Sequence, residues 1–147
     1  LADANPLVYA VMNGGLIFAG RILPRLPFPL EVAYLHASRY GHAIQGTLLD
    51  WRVRPTQDLR GRTVLVLDDI LDEGHTLKAI IEHLKEEGAA EVLSAVLVHK
   101  LHDRKATPGM RADFSGLDIA DRFLFGCGMD YKGYWRNAPG IYAVKGL

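Results

Sequence analysis

The chain has 147 residues, which is enough for one domain with a real core and too short for two. Seventeen basic and seventeen acidic side chains cancel, so nothing in the charge favours a nucleic-acid backbone or an anionic membrane surface as a partner. No apolar run approaches the roughly 18 residues of a transmembrane helix, and a single cysteine, Cys127, cannot form an internal disulfide, which fits a reducing cytoplasm.

Leu7 to Met12 reads as a buried strand, and the residues before it carry neither the basic start nor the apolar core of a secretory signal. Asn13-Gly14-Gly15 leads into an apolar helical stretch from Leu16 to Leu23. Pro24, Pro27 and Pro29 then break the helix before an extended segment from Leu30 to Leu35. His36 to Leu59, punctuated by Gly41, Gly46 and Pro55, is expected to be a long loop or a loosely paired hairpin. Thr63 to Leu67 is the central strand, Gly74 to Glu87 its helix with Gly88 at the end, and Val92 to Val98 the next strand. The tail from Asp113 is richer in strand-like segments, with Phe123 to Phe125 and Ile141 to Val144 among them. Alternating strands and helices predict an α/β domain with a central parallel sheet flanked by helices and wound right-handedly.

The most informative stretch is Val64 to Leu77. An apolar strand ends in two adjacent carboxylates, Asp68 and Asp69, and the short turn Asp72-Glu73-Gly74-His75-Thr76 opens a helix. From Leu77 the apolar residues recur at Ile80, Ile81 and Leu84, with Lys78, Glu82, Lys85 and Glu86 on the other face. Such a loop lies at the carboxyl edge of a sheet, where α/β folds bind ligands, and the first-turn amides suit a phosphate. Asp72 could serve only as a helix N-cap. That reading leaves Asp68 and Asp69 unexplained, because paired carboxylates beside a buried strand are costly without hydroxyls, a metal or a cation to meet them. Six histidines are scattered without metal-binding companions, so a zinc site is not expected.

The pattern of apolar strand, two acids, two apolar residues and Asp-x-Gly-x-Thr closely resembles the phosphoribosyl-diphosphate (PRPP) signature of the type I phosphoribosyltransferases. Asp121 to Tyr131, with Tyr134 and Arg136, resembles the purine- and diphosphate-binding end of the hypoxanthine(-guanine) members. Lys100 stands at the place of that family's purine-reading lysine, Ser38 to Gly41 at the start of its mobile loop, and Met12 to Gly15 at its diphosphate loop. The motifs arrive in family order over nearly the whole chain. The chain departs at Asn13, where many relatives have lysine, and at Glu73 and His75, where Thr or Ser and Lys or Asn are frequent. Members also carry a further N-terminal segment including a helix, so residues 1–147 are expected to be a single phosphoribosyltransferase domain lacking that segment.

The resemblance implies purine salvage: hypoxanthine or guanine plus PRPP gives the nucleoside 5′-monophosphate and diphosphate, with magnesium. It implies a type I fold with a small hood built from terminal segments and a mobile loop, and a homo-oligomer, dimer or tetramer. Asp72 is then the catalytic acid/base. Asp68, Asp69, Asp72, Glu73, Gly74, His75 and Thr76 hold the ribose and phosphate, with the Glu73 side chain turned away and its N–H contributing. Asn13, Gly14, Arg39, Tyr40 and Arg136 meet the diphosphate. Lys100, Phe123, Leu124 and Asp130 form the purine site, and Asp130, Asp68 and Asp69 are the candidate metal ligands. A lysine donates to a 6-oxo group, whereas a 6-amino group would face it donor to donor. The Met12–Asn13 peptide is expected to be cis, as in the family's corresponding loop, and Tyr40 to Thr56 to cover the filled site and move when it is empty. Two alternatives remain open: a non-catalytic PRPP-sensing regulator, which Lys100, Phe123 and Asp130 argue against, and a transferase preferring xanthine.

Overall fold

Two apolar layers sandwich one sheet in the computed structural model, which describes residues 1–39 and 49–147. The strands are β1 (Leu7–Val11), β2 (Glu31–Arg39), β3 (Leu49–Val53), β4 (Thr63–Leu71), β5 (Glu91–Leu101) and β6 (Phe114–Ala120). They line up in the order β3-β2-β1-β4-β5-β6. All neighbouring pairs are parallel except β2 and β3, which run antiparallel. Helix α1 (Leu16–Ile22) follows β1 and helix α2 (His75–Glu86) follows β4.

Strand alternation explains the two layers. In β1, Leu7, Tyr9 and Val11 face one way and join Leu77, Ile80 and Leu84 of α2, whereas Val8 and Ala10 face the other way and join Ala19 of α1. Strand β4 divides likewise, with Val64 and Val66 toward α2 and Leu65 and Leu67 toward α1. Burying a side chain such as Ile80 or Leu84 completely stabilises the fold by roughly 1.5–3 kcal/mol each. The Tyr9 hydroxyl, drawn into the α2 layer, donates to Gln57 Oε1 at 2.8 Å. Burial, with some help from Glu31, pushes its pKa up to about 12.

From β1 the chain winds one way to β2, and from β4 the other way to β5. The carboxyl ends of β1 and β4 therefore meet at the switch point of the sheet, where a crevice forms between diverging connections. Above β5 and β6 sits a small cap, in which β7 (Leu124–Phe125) pairs antiparallel with β8 (Tyr142–Ala143). Leu124 and Met129 of this cap pack on Val98.

Two sequence-based expectations are corrected. The central strand does not stop at Leu67: pairing with β5 continues through Asp68↔Val96 and Ile70↔Val98, so the two acids lie within β4 rather than after it. Strand β5 runs to Leu101, which places Lys100 inside the strand. The stretch from His36 takes the hairpin form of its two expected forms, because β2 reaches Arg39 and Leu49–Val53 pairs back on it antiparallel, with a bulge between His36 and Ala37. The expected covering loop from Tyr40 lies outside the described residues up to position 48, and its far end is the regular strand β3.

Candidate active site

Two adjoining clefts open at the switch point. The first, about 380 Å³, is walled by Asp68 and by the loop from Asp72 to Thr76. The second, about 210 Å³, is walled by Asp69, Lys100, Phe123, Leu124, Met129 and Asp130. Ile70 and Asp72 line both. Asp72 is thus the carboxylate at the seam.

The first cleft is shaped for an anion. Gly74, the N-cap of α2, has φ +87° and no side chain caps the helix, so the first-turn amides have no side-chain acceptor. A Cβ on Gly74 would come within 2.7 Å of Met110 Sδ, so the left-handed conformation and the crowding both call for glycine. Thr76 is half-buried on the cleft wall, and Glu73 and His75 are exposed. The Glu73 carbonyl accepts the Ala106 N–H at 2.7 Å, which ties this loop to the segment after β5.

The acids stand on the cleft floor. Asp68 Oδ1 accepts the Asp69 N–H at 2.8 Å, and Asp69 Oδ1 accepts the Ile70 N–H at 2.7 Å. Burial raises the Asp68 pKa well above the ordinary carboxylate value, and the neighbouring Asp69 charge adds to it. Asp69 in turn abuts the loop after β1: a Cβ on Gly14 would overlap its carboxylate. The Met12–Asn13 peptide of that loop is cis, as expected, and Asn13 is exposed.

Asp72 does not cap the helix. Its Oδ2 accepts from Lys100 Nζ at 3.1 Å and its Oδ1 meets His102 Nε2 at 2.6 Å. Burial raises the Asp72 pKa, but the bonds from His102 and Lys100 and their charges outweigh it and hold the carboxyl below its ordinary value. The carbonyls of Asp72 and Lys100 both accept from Lys105 Nζ at 2.6 Å, so one ammonium staples the loop from Asp72 to Thr76 to β5. His102 and Lys105 escaped the sequence reading. Their only signal was a cluster of basic side chains just after Lys100.

The second cleft is shaped for a flat ring. Phe123 is 46% exposed rather than packed in the core, and Tyr131 meets it edge-on at 5.9 Å between centroids. Leu124 is buried beneath the cleft. Asp130 is half-buried, and its Oδ2 accepts the Gly133 N–H at 2.8 Å. Arg136 Nη1 donates to the Gly128 carbonyl at 2.6 Å, and its Nη2 lies 3.7 Å from Asp130 Oδ1. Arg39 ends β2 opposite Leu49, and Tyr40 lies outside the described residues. The two clefts therefore bring together Asp68, Asp69, the loop from Asp72 to Thr76, Lys100, Phe123, Leu124 and Asp130, with Gly14 against Asp69 and Arg136 near Asp130.

Known proteins share this fold and sequence family. The family model for the phosphoribosyl transferase domain matches residues 2–132. The chain is 32% identical over 145 residues to the hypoxanthine-guanine phosphoribosyltransferase of Streptococcus pneumoniae, an alignment spanning 98% of this chain and 79% of that protein. It is also 32% identical over 147 residues to the hypoxanthine-guanine phosphoribosyltransferase of Bacillus subtilis, spanning 97% and 79%. A crystal structure of a hypoxanthine phosphoribosyltransferase from Staphylococcus aureus matches with a TM-score of 0.88 at 27% identity, covering 98% of this chain and 78% of that one. This chain belongs to the phosphoribosyl transferase domain family, among its hypoxanthine-guanine members.

Proposed function

We propose that this enzyme transfers the phosphoribosyl group of PRPP to a 6-oxopurine, hypoxanthine or guanine, releasing diphosphate. The observation that carries the reading is the place of Asp72, shared between a phosphate-shaped cleft and a ring-shaped cleft that holds Lys100 and Phe123. A sugar phosphate in the first and a purine in the second would bring the reacting atoms together beside one carboxylate.

In the transfer, purine N9 bonds to the anomeric carbon as the bond from that carbon to the diphosphate oxygen breaks. The imidazole ring becomes more acidic as N9 commits its lone pair, and Asp72 accepts the N7 proton. Lys100 donates to the 6-oxo oxygen, the Phe123 face stacks on the ring, and backbone groups of Leu124 meet the pyrimidine edge. Asp68 and Asp69 receive ribose hydroxyls, and the amides at Glu73 to Thr76 hold the 5′-phosphate. Gly14, Asn13 and Arg136 surround the departing diphosphate, joined by Arg39 and Tyr40. Placing positive charge and N–H donors there stabilises the leaving group as its charge grows.

Magnesium fits the donors available. Asp130, Asp68 and Asp69 offer oxygen only, and among the described residues no three His, Cys, Asp or Glu side chains converge into a metal cage. That suits an ion held by one or two carboxylates, with waters and diphosphate oxygens completing its shell. Bound there, it would offset the negative charge of the diphosphate. A homo-oligomer in a reducing cytoplasm completes the reading, in keeping with a single, buried cysteine.

Incubation with PRPP, magnesium and, in turn, hypoxanthine, guanine, xanthine and adenine tests this function. Nucleotide should form with hypoxanthine or guanine and not with adenine. Tight PRPP binding without turnover of any base would indicate a sensor, and turnover of adenine alone would overturn the role of Lys100.

A further inference from the structure

We propose that His102 is a positioning residue for Asp72, acting as a neutral imidazole that donates from Nε2 to Asp72 Oδ1. The inference rests on the reading of Asp72 as the proton acceptor, and adds to it the group that aims that carboxylate.

The tautomer follows from the two bonds of the ring. His102 Nδ1 accepts the backbone N–H of Arg104 at 3.0 Å, so Nδ1 must present a lone pair. The single ring proton then sits on Nε2, which lies 2.6 Å from Asp72 Oδ1. The imidazole is only 4% exposed, so water does not compete for either nitrogen. Lys105 Nζ also comes within 3.3 Å of Nε2, but two of its three protons go to the Asp72 and Lys100 carbonyls at 2.6 Å, and the closer Asp72 carboxylate, which accepts, calls for the proton on Nε2.

Asp72 is therefore gripped at both oxygens, by Lys100 from β5 and by His102 from the segment after it. The two donors differ in what substrate does to them. Lys100 faces the ring cleft and is expected to turn to the purine oxygen. His102 does not line that cleft, and its Arg104 bond anchors it. When Lys100 engages the purine, His102 alone keeps Oδ1 fixed and leaves Oδ2 free to meet N7. The other charged groups around the pair are Lys105 and Arg104 on the same segment, His99 on β5, Glu73 on the phosphate loop, and Asp121 after β6, which Arg104 binds at 2.8 Å.

Two substitutions separate the donor from the anchor. His102→Gln can place an amide N–H where Nε2 was, whereas His102→Asn can place a carbonyl oxygen where Nδ1 was and reaches no further. With saturating PRPP and hypoxanthine, His102→Asn should lower kcat roughly ten-fold, the effect of losing one hydrogen bond to a charged group. It should leave the KM for PRPP near its original value and move the acid limb of the kcat profile to higher pH, because a carboxylate with fewer donors is more basic. His102→Gln should restore both. Nitrogen-15 spectra of the unsubstituted protein should show Nε2 protonated and Nδ1 bare at neutral pH. The proposal is overturned by the opposite tautomer, by an unmoved acid limb in His102→Asn, or by equal loss in both variants. Asp72→Asn, run alongside, reports on the underlying reading: unchanged turnover there would remove Asp72 from the chemistry while the tautomer measurement still stood.

Discussion

Lys100 Nζ and Asp72 Oδ2 are 3.1 Å apart across the wall of the ring cleft, one cation and one carboxylate side by side. The edge of a 6-oxopurine carries the matching pair, an acceptor at O6 next to a donor at N7 when the ring is protonated there. An amino group at C6 would set a donor against Lys100. In the proposed complex the ion pair would double as a template for the base, and binding would exchange one charge-assisted contact for two hydrogen bonds of like kind.

Replacing Asp72 by Asn keeps size and shape and removes the proposed proton acceptor. Turnover should fall by about 10²–10⁴ while PRPP still binds. Single-turnover kinetics together with calorimetric PRPP titration would check this. An unchanged rate in a folded Asp72→Asn protein would leave the residue as a structural partner of Lys100 and His102.

Lys100→Ala removes a charge-assisted bond worth roughly 1.5–3 kcal/mol, so the KM for hypoxanthine should rise about 10- to 100-fold. The KM for PRPP should move far less. Because Asp72 also loses a donor, the acid limb of kcat should shift upward in the same variant. Equal effects on the two substrates would assign Lys100 to the phosphosugar or to the fold.

Legibility in the sequence followed the physics of each element. Helix α2 announced itself because Leu77, Ile80 and Leu84 face one buried layer, and Gly88, at φ +101° just beyond its end, marks the stop. Strand β4 was legible only to Leu67, since Asp68 and Asp69 look like the end of an apolar run. Its last residues are strand because β5 continues beside them. Strand β3 alternates Leu49, Trp51 and Val53 with the exposed Asp50 and Arg52, a half-buried edge whose pattern is too short to stand out from a polar loop. Both clefts were foreseeable from motifs. His102 and Lys105 were not, because the contacts that give them a role join them to Asp72, 30 and 33 residues away, and leave no period in the chain.

Asp68 should make the ligand-free protein less stable as pH rises. Its folded carboxyl holds a proton more tightly than the unfolded one, through burial and then the Asp69 charge. That contribution is fully favourable below the unfolded carboxylate pKa and is lost as pH climbs through the raised folded value. Asp68→Asn, neutral at every pH, should therefore match the original Tm in acid and exceed it at neutral pH, while weakening PRPP binding. Melting curves in a metal chelator across this range decide it. Parallel Tm profiles for the two proteins would mean that Asp68 ionises as freely folded as unfolded.

Gly14 and Gly128 lock the loop after β1, the acids and the cap together, and alanine at each should fail differently. A Cβ on Gly14 would overlap the Asp69 carboxylate, the movable end of a side chain, and Gly14 is not at positive φ. The fold can absorb that by turning Asp69 aside. A Cβ on Gly128 would instead overlap the backbone carbonyl of Gly14, and Gly128 has φ +102°, a conformation that costs an L-residue about 1–3 kcal/mol before any clash. Gly14→Ala should thus keep most of its Tm yet raise the KM for PRPP about ten-fold, as one contact to a ribose hydroxyl is lost. Gly128→Ala should lower the Tm by several degrees and weaken both substrates, because the cap must lift to make room. Thermal melts paired with KM values for PRPP and hypoxanthine would separate the two. If Gly14→Ala lost as much stability as Gly128→Ala, Asp69 would be a rigid part of the core rather than a movable wall of the site.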